Sequence, residues 1–133
     1  MSSHEIDVSG LPAARGFAHG RTGRGRALHV AGQIGCDEHG VCVTGFVAQF
    51  AKALDNVLAV VRAAGGTPED VATMTVYVTD INGYRGVLRE LGAVWRERLG
   101  KHFPAMALVA VSALVEPAAV VEIQATAYVG GES

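Results

Sequence analysis

Glu122 is the residue whose setting most invites chemistry. It lies in the segment VVEIQATAYV, where period-two alternation separates two rows of side chains. Val121, Ile123, Ala125, Ala127 and Val129 form one row, suited to a core covered by helices. Glu122, Gln124, Thr126 and Tyr128 form the other. A lone carboxylate in a mostly apolar pocket is suited to moving a proton or orienting a water. The bland alternative is an interface carboxylate held by a backbone amide or a lysine.

Other groups fall short of a site. Cys36, His39 and Cys42 form a Cys-x2-His-x2-Cys cluster beside Asp37 and Glu38, which zinc would accept. A structural zinc site needs a fourth ligand, and none is evident, so no metal is expected. Two cysteines are too few for a disulfide framework and do not form a CxxC pair, so reduced thiols are expected. Gly20 to Arg26 resembles a phosphate loop in composition alone, because it joins two expected strands and opens no helix. Ser112 lacks the strand-turn-helix context of a nucleophile elbow. Nothing calls for a cofactor.

Arg15, Arg21, Arg24 and Arg26 concentrate positive charge near the amino end, but with Phe17 as the only aromatic among them. The formal net charge is −2. A solvated turn accounts for this cluster better than a nucleic-acid surface, and no nucleic-acid partner is expected.

The elements that must position Glu122 come from a chain of 133 residues, the size of one domain covering 1–133. Half of the residues are hydrophobic and 18% are charged, an apolar surplus that points to burial between chains. No run is long and apolar enough to span a bilayer, so no membrane partner is expected. The opening MSSHEIDVSG lacks a secretory pattern, and a cytoplasmic protein is expected.

Strands are expected around Gly16 to His19 and from Ala27 to Gln33, with GRTGRG as the turn between them. Apolar residues at Phe46, Phe50, Ala53, Leu54, Val57, Leu58 and Val61 predict a helix from about Gly45 to Ala64, stopped by Gly65 and Gly66. Val71 to Asp80 alternates as a strand. A second helix is expected from Gly83 to Leu99, with Tyr84, Val87, Leu88, Leu91, Val94 and Trp95 on its buried stripe. Strands from Ala105 to Ser112 and Ala118 to Val129 close the chain.

The order β-β-α-β-α-β-β predicts an α+β fold, a single mostly antiparallel sheet with two helices on one face. The other face would carry His29, Ala31 and Gln33, then Met106, Leu108 and Ala110, then the row from Glu122 to Tyr128. That mixture is too apolar for water and too polar for a core. It describes a subunit interface containing a pocket.

The segments VAGQIG, LDNVLAVVRAAGGTPEDV, TVYVTDINGY, FPAMALVAV and VVEIQATAYV, in this order and spacing, closely resemble the Rid/YjgF family of reactive imine deaminases. The resemblance covers nearly the whole chain. It implies a chorismate-mutase-like homotrimer with pockets between adjacent subunits, acting on small metabolites. Deaminating members hydrolyse enamines and imines to keto acids and ammonia without a cofactor. In them an arginine in a Pro-Ala-Arg-Ser segment grips the substrate carboxylate, and a last-strand carboxylate orients water.

Of those positions only the last, Glu122, matches. Met106 stands for the arginine, Phe17 for a tyrosine, Ala31 for a serine, Leu88 for an asparagine and Leu108 for a cysteine. Losing the arginine removes a charge-assisted hydrogen bond of roughly 1.5–3 kcal/mol. A poor 2-iminopropionate deaminase is therefore expected, unless Arg15, Arg85 or Arg89 reaches the pocket from a neighbouring chain. Phe17, Ala31, Leu88, Met106 and Leu108 either line an apolar pocket for a larger, less charged ligand or fill a dead one. The first reading is a Rid-like enzyme of imines, enamines or related compounds with an atypical substrate. The second is a non-catalytic, ligand-binding or regulatory trimer. A ribonuclease finds support in neither the net charge nor any general-base pair.

Overall fold

The computed structural model describes residues 2–131. Its strands are β1 (Ser3–Glu5), β2 (Arg21–Gly23), β3 (Gly25–Ile34), β4 (Val71–Val78), β5 (Ala105–Ala110) and β6 (Val121–Gly130). Its helices are α1 (Phe46–Ala63), α2 (Ile81–Arg85) and α3 (Leu88–Leu99), with a 3-10 turn at Pro68–Asp70. The main sheet runs β3-β6-β4-β5, antiparallel except for the parallel pair β4 and β5. The expected α+β class therefore stands, with a mixed sheet and three helices. Among the described residues no helix is long and apolar enough to cross a membrane.

Helix α1 forms where the 3.6-residue stripe predicts it. Phe50, Ala53, Leu54, Val57, Leu58 and Val61 are all buried, against β3 and β6. The helix stops in a paired-bond turn. Gly66 N–H donates to Val61 O and Gly65 N–H to Arg62 O, both at 2.9 Å, while Gly65 takes φ 87°. Asp70, itself buried, then caps the next turn by accepting from Thr67 N–H at 2.8 Å.

The second helix divides. Gly86 and Val87 interrupt it, and Val87 N–H bonds back only three residues, to Tyr84 O at 3.2 Å. Two glycines in one short stretch, Gly83 and Gly86, weaken the helix there. The break separates Tyr84 and Val87 from the rest of the stripe, which α3 carries. Leu91, Trp95 and Leu99 are buried, whereas Leu88, expected on that stripe, is 53% exposed.

The amino-terminal hairpin also differs from expectation. Gly16 to His19 forms no strand beyond a single parallel bridge from Ala18 to Ala105. Instead β1 pairs with β2 as a separate antiparallel ribbon, Ser3 opposite Gly23 and Glu5 opposite Arg21. Arg21 fastens this ribbon by donating to Ser3 O, Ser3 Oγ and Phe103 O at 3.1–3.2 Å. Strands of three residues carry too little alternation to be read from sequence, and this one is held by a guanidinium.

Strand register sets the two faces. Val121, Ile123, Ala125, Ala127 and Val129 are buried under the helices, as their alternation predicts. In β5, however, Met106 pairs with Met74, Leu108 with Val76 and Ala110 with Val78, and those β4 partners are all buried. Paired residues share a face, so Met106, Leu108 and Ala110 lie on the helix side and not on the uncovered side expected for them. A bulge at Ala31 and Gly32 makes a second change. Beyond it Gln33 pairs with Ile123 and Ile34 with Glu122, so Gln33 also leaves the uncovered face.

Candidate functional site

Glu122 keeps its expected position. It stands half-buried on the uncovered face, paired with Tyr77 on β4 and Ile34 on β3. Its carboxylate lies against Gly32, so closely that a Cβ at that position would collide with Oε2. The β3 bulge and the bare glycine therefore make the seat of this side chain. Ala31, exposed, is its neighbour in the same bulge. On the same face Tyr77 Oη donates to Gln124 Oε1 at 3.2 Å, leaving a polar row beside the carboxylate.

On the opposite side of the sheet a cavity of about 380 Å³ opens between β5 and α3. Met106, Leu108 and Leu88 line it, three of the positions at which the resemblance would place polar side chains. Trp95 and Phe103 form another wall, their rings stacked with centroids 5.9 Å apart and planes 5° from parallel. Trp95 Nε1 donates to His102 O at 3.0 Å, which fixes the indole. Leu88 opens α3 just after the break and lies two turns from Trp95 on the same helical face, so it borders the cavity together with Trp95.

Phe17 occupies neither place. Its segment is tied beside the start of β5 by Ala18 N–H donating to Pro104 O at 2.9 Å, and its ring meets His19 edge-on at 5.3 Å. Phe17 lines a more polar hollow with Arg21, Lys101 and His102, and Gly16 borders both that hollow and the apolar cavity. Burial holds the His102 imidazole below its usual pKa, and the nearby Arg21 adds to that depression, against its own bond to Val71 O and the carboxylates of Glu69 and Asp70. Its Nε2 carries the proton donated to Val71 O at 2.7 Å.

The structure therefore groups Leu88, Met106 and Leu108, sets Phe17 beside them, and places Glu122 and Ala31 across the sheet. Among the described residues Glu122 is not a wall of the cavity that Met106 lines. Residues not expected at a site complete the cavity, chiefly Trp95, Phe103, Arg96 and Lys101. Arg15, Arg85 and Arg89 are not among its walls. The helical stripe brought Trp95 forward as core, but no local motif distinguishes Arg96 or Lys101 from ordinary charges at a helix end.

The cysteine cluster changes character. Cys36 and Cys42 are joined as a disulfide closing the turn after β3, contrary to the reduced thiols expected. Two sulfurs bonded to each other are lost as zinc ligands. Asp37 organises the turn by accepting from Val41 N–H at 3.0 Å and His39 N–H at 2.9 Å, and those two amides hold its carboxyl below the usual range.

Comparison with known proteins agrees with this architecture. The family described as endoribonuclease L-PSP matches residues 9–129. A RutC family protein of Pyrococcus horikoshii is 36% identical over 106 residues, 78% of this chain and 80% of that protein. The human 2-iminobutanoate/2-iminopropanoate deaminase is 36% identical over 107 residues, 79% of this chain and 74% of its own. A crystal structure of a Rid family protein from Yersinia pestis, YyfB, described as of unknown function, superposes with a TM-score of 0.84 at 31% identity. It covers 97% of this chain and 100% of that one.

Proposed function

The chain belongs to the Rid/YjgF family, also described as endoribonuclease L-PSP, and from that premise we propose a cytoplasmic, single-domain homotrimer that acts on a small imine, enamine or related metabolite. The reaction is hydrolytic deamination or a tautomer-type proton transfer. Glu122 positions the water or carries the proton. The name of the human relative supports an imine as substrate class.

One observation carries this reading. The cavity behind Met106 and Leu108 is open, at about 380 Å³, and has not been filled by the side chains that replace the polar ones. Because Glu122 lies on the other sheet face, the reading requires a second copy whose uncovered face brings its own Glu122 to the cavity. The polar row around Glu122 on an unshielded sheet is suited to such a contact. Met106 makes the substrate atypical, since a thioether cannot hold a carboxylate as a guanidinium does.

Ammonia release from freshly generated imino acids of graded size tests the proposal. Turnover should appear on part of the panel and be poor on 2-iminopropionate. Glu122→Gln should abolish turnover while leaving the oligomer mass unchanged. Unchanged turnover in that variant would refute the assigned role, and a 2-iminopropionate rate matching archetypal deaminases would refute the atypical substrate.

A second reading draws on the chemistry of the cavity wall. Leu88, Met106 and Leu108 offer no acid or base, as a ligand-holding, non-catalytic trimer would allow. Thermal stabilisation by ligands with no turnover across the panel would favour it.

A further inference from the structure

The apolar cavity has a charged rim. Arg96 and Lys101 both line it, from the last turn of α3 and the segment just after it. Among the described residues neither forms an ion pair, whereas Arg98, in the same helical turn, is matched by Asp55 at 2.7 Å and Glu97 at 3.5 Å. A helix C-terminus attracts a cation, and Arg98 already meets that need by donating to Val94 O at 3.1 Å. Arg96 is also held close to the helix. One of its guanidinium nitrogens lies 3.3 Å from where a Cβ at Gly92 would stand, and Gly92 itself borders the cavity. The absence of a side chain at position 92 thus lets the cation rest at the cavity edge.

The body of the cavity has a different character. Trp95 and Phe103 present a flat aromatic wall, with Leu88, Met106 and Leu108 completing an apolar lining. A volume of about 380 Å³ falls within the range that encloses drug-sized ligands. A two- or three-carbon acid would leave most of that apolar surface facing water. A ring or branched chain would cover it, and a carboxylate on the end would meet unpaired cations at the rim.

We propose that this cavity binds an amphiphilic carboxylate, an aryl or branched aliphatic body ending in one anionic group, with Arg96 and Lys101 receiving the anion in place of the arginine that Met106 replaces. This rests on the cavity being the substrate site of the reading above. It assigns the substrate class and a new anchor for it.

Calorimetric titration of the purified full-length protein with 3-phenylpropionate, 3-phenylpropanamide and propionate tests the assignment. The aryl acid should bind at least about tenfold more tightly than both the amide and propionate, the scale of one charge-assisted hydrogen bond or of one buried ring. In the Arg96→Ala/Lys101→Ala double variant the acid should fall to the affinity of the amide, with amide binding unchanged. Both positions are exposed, so the fold is expected to survive, and the amide serves as the check within each variant.

Equal affinity for acid and amide in the wild type overturns the proposal. So does discrimination that survives the double substitution, or propionate binding as tightly as the aryl acid. Turnover by the wild-type protein separates this from the catalytic reading. If the binding pattern holds while no imine is turned over, catalysis falls and the ligand class stands. If small imino acids are turned over without this binding pattern, the ligand class falls alone.

Discussion

Met106 and Glu122 stand on opposite faces of one sheet. Met106 pairs with the buried Met74 across β4 and β5, and Glu122 pairs with Tyr77 across β4 and β6 on the uncovered side. A site using both must take them from different chains. Mixed oligomers of two inactive variants, Glu122→Gln and Leu108→Trp, should therefore recover activity. Random one-to-one mixing leaves both halves intact at about a quarter of the interfaces of a cyclic assembly. Recovered turnover near that fraction of wild type is the expected result, measured by ammonia release on the mixture. No recovery would mean that the two residues do not act across a shared interface.

Gly32→Ala should separate positioning from stability. The added methyl would displace the Glu122 carboxylate, which is the free end of a side chain and can move at little cost. Stability to urea should change by less than about 1 kcal/mol, in line with exposed substitutions. Turnover should fall by about 10- to 100-fold, because misplacing a reacting group by an ångström is that costly. Matching kinetics for the alanine variant and wild type would remove Glu122 from the reaction.

How much of this was legible in the chain depended on how distinct the two sides of each element were. Helix α1 and strand β6 have rows of opposite character, so periodicity alone placed Leu54 inside and Glu122 outside. Strand β5 is apolar on both rows, Ala105, Ala107 and Val109 against Met106, Leu108 and Ala110, so parity could not orient it. Only its parallel register with β4 does so. Leu88 lies on the helical face of Trp95 and Leu99, as its spacing predicts, but in the first turn of α3 beside the cavity, where it stays exposed; periodicity gives a residue's face and not what packs over it. The rim cations Arg96 and Lys101 were invisible because their meaning lies in what faces them across the cavity.

Gly65→Ala probes the end of α1. The position has φ 87°, where a Cβ costs about 1–2 kcal/mol, although the space around it is open. Unfolding by urea should show a loss of that size. Leu58→Ala, at a position 1% exposed, should cost more, about 2–5 kcal/mol, because it leaves a cavity between α1 and the sheet. A loss at position 65 equal to that at position 58 would show that strain in the helix stop is larger than a single left-handed residue explains.

His102 should make the fold sensitive to mild acid. Burial, the largest influence, and the Arg21 guanidinium hold its pKa below the ordinary value of 6.5 in the folded chain. The unfolded chain then binds the proton more readily, so its contribution to stability is fully present above pH of about 6.5 and is lost as the pH falls through the depressed folded value. Urea midpoints measured from pH 7.5 downward should decline more steeply in the wild type than in His102→Gln, which has no proton to gain. The glutamine amide can still donate to Val71 O, so the two proteins should be close in stability at pH 7.5 and diverge toward the acid end, with the wild type the less stable there. Parallel curves across the range would show that the imidazole takes up its proton equally well folded and unfolded, and would assign the acid sensitivity to the carboxylates.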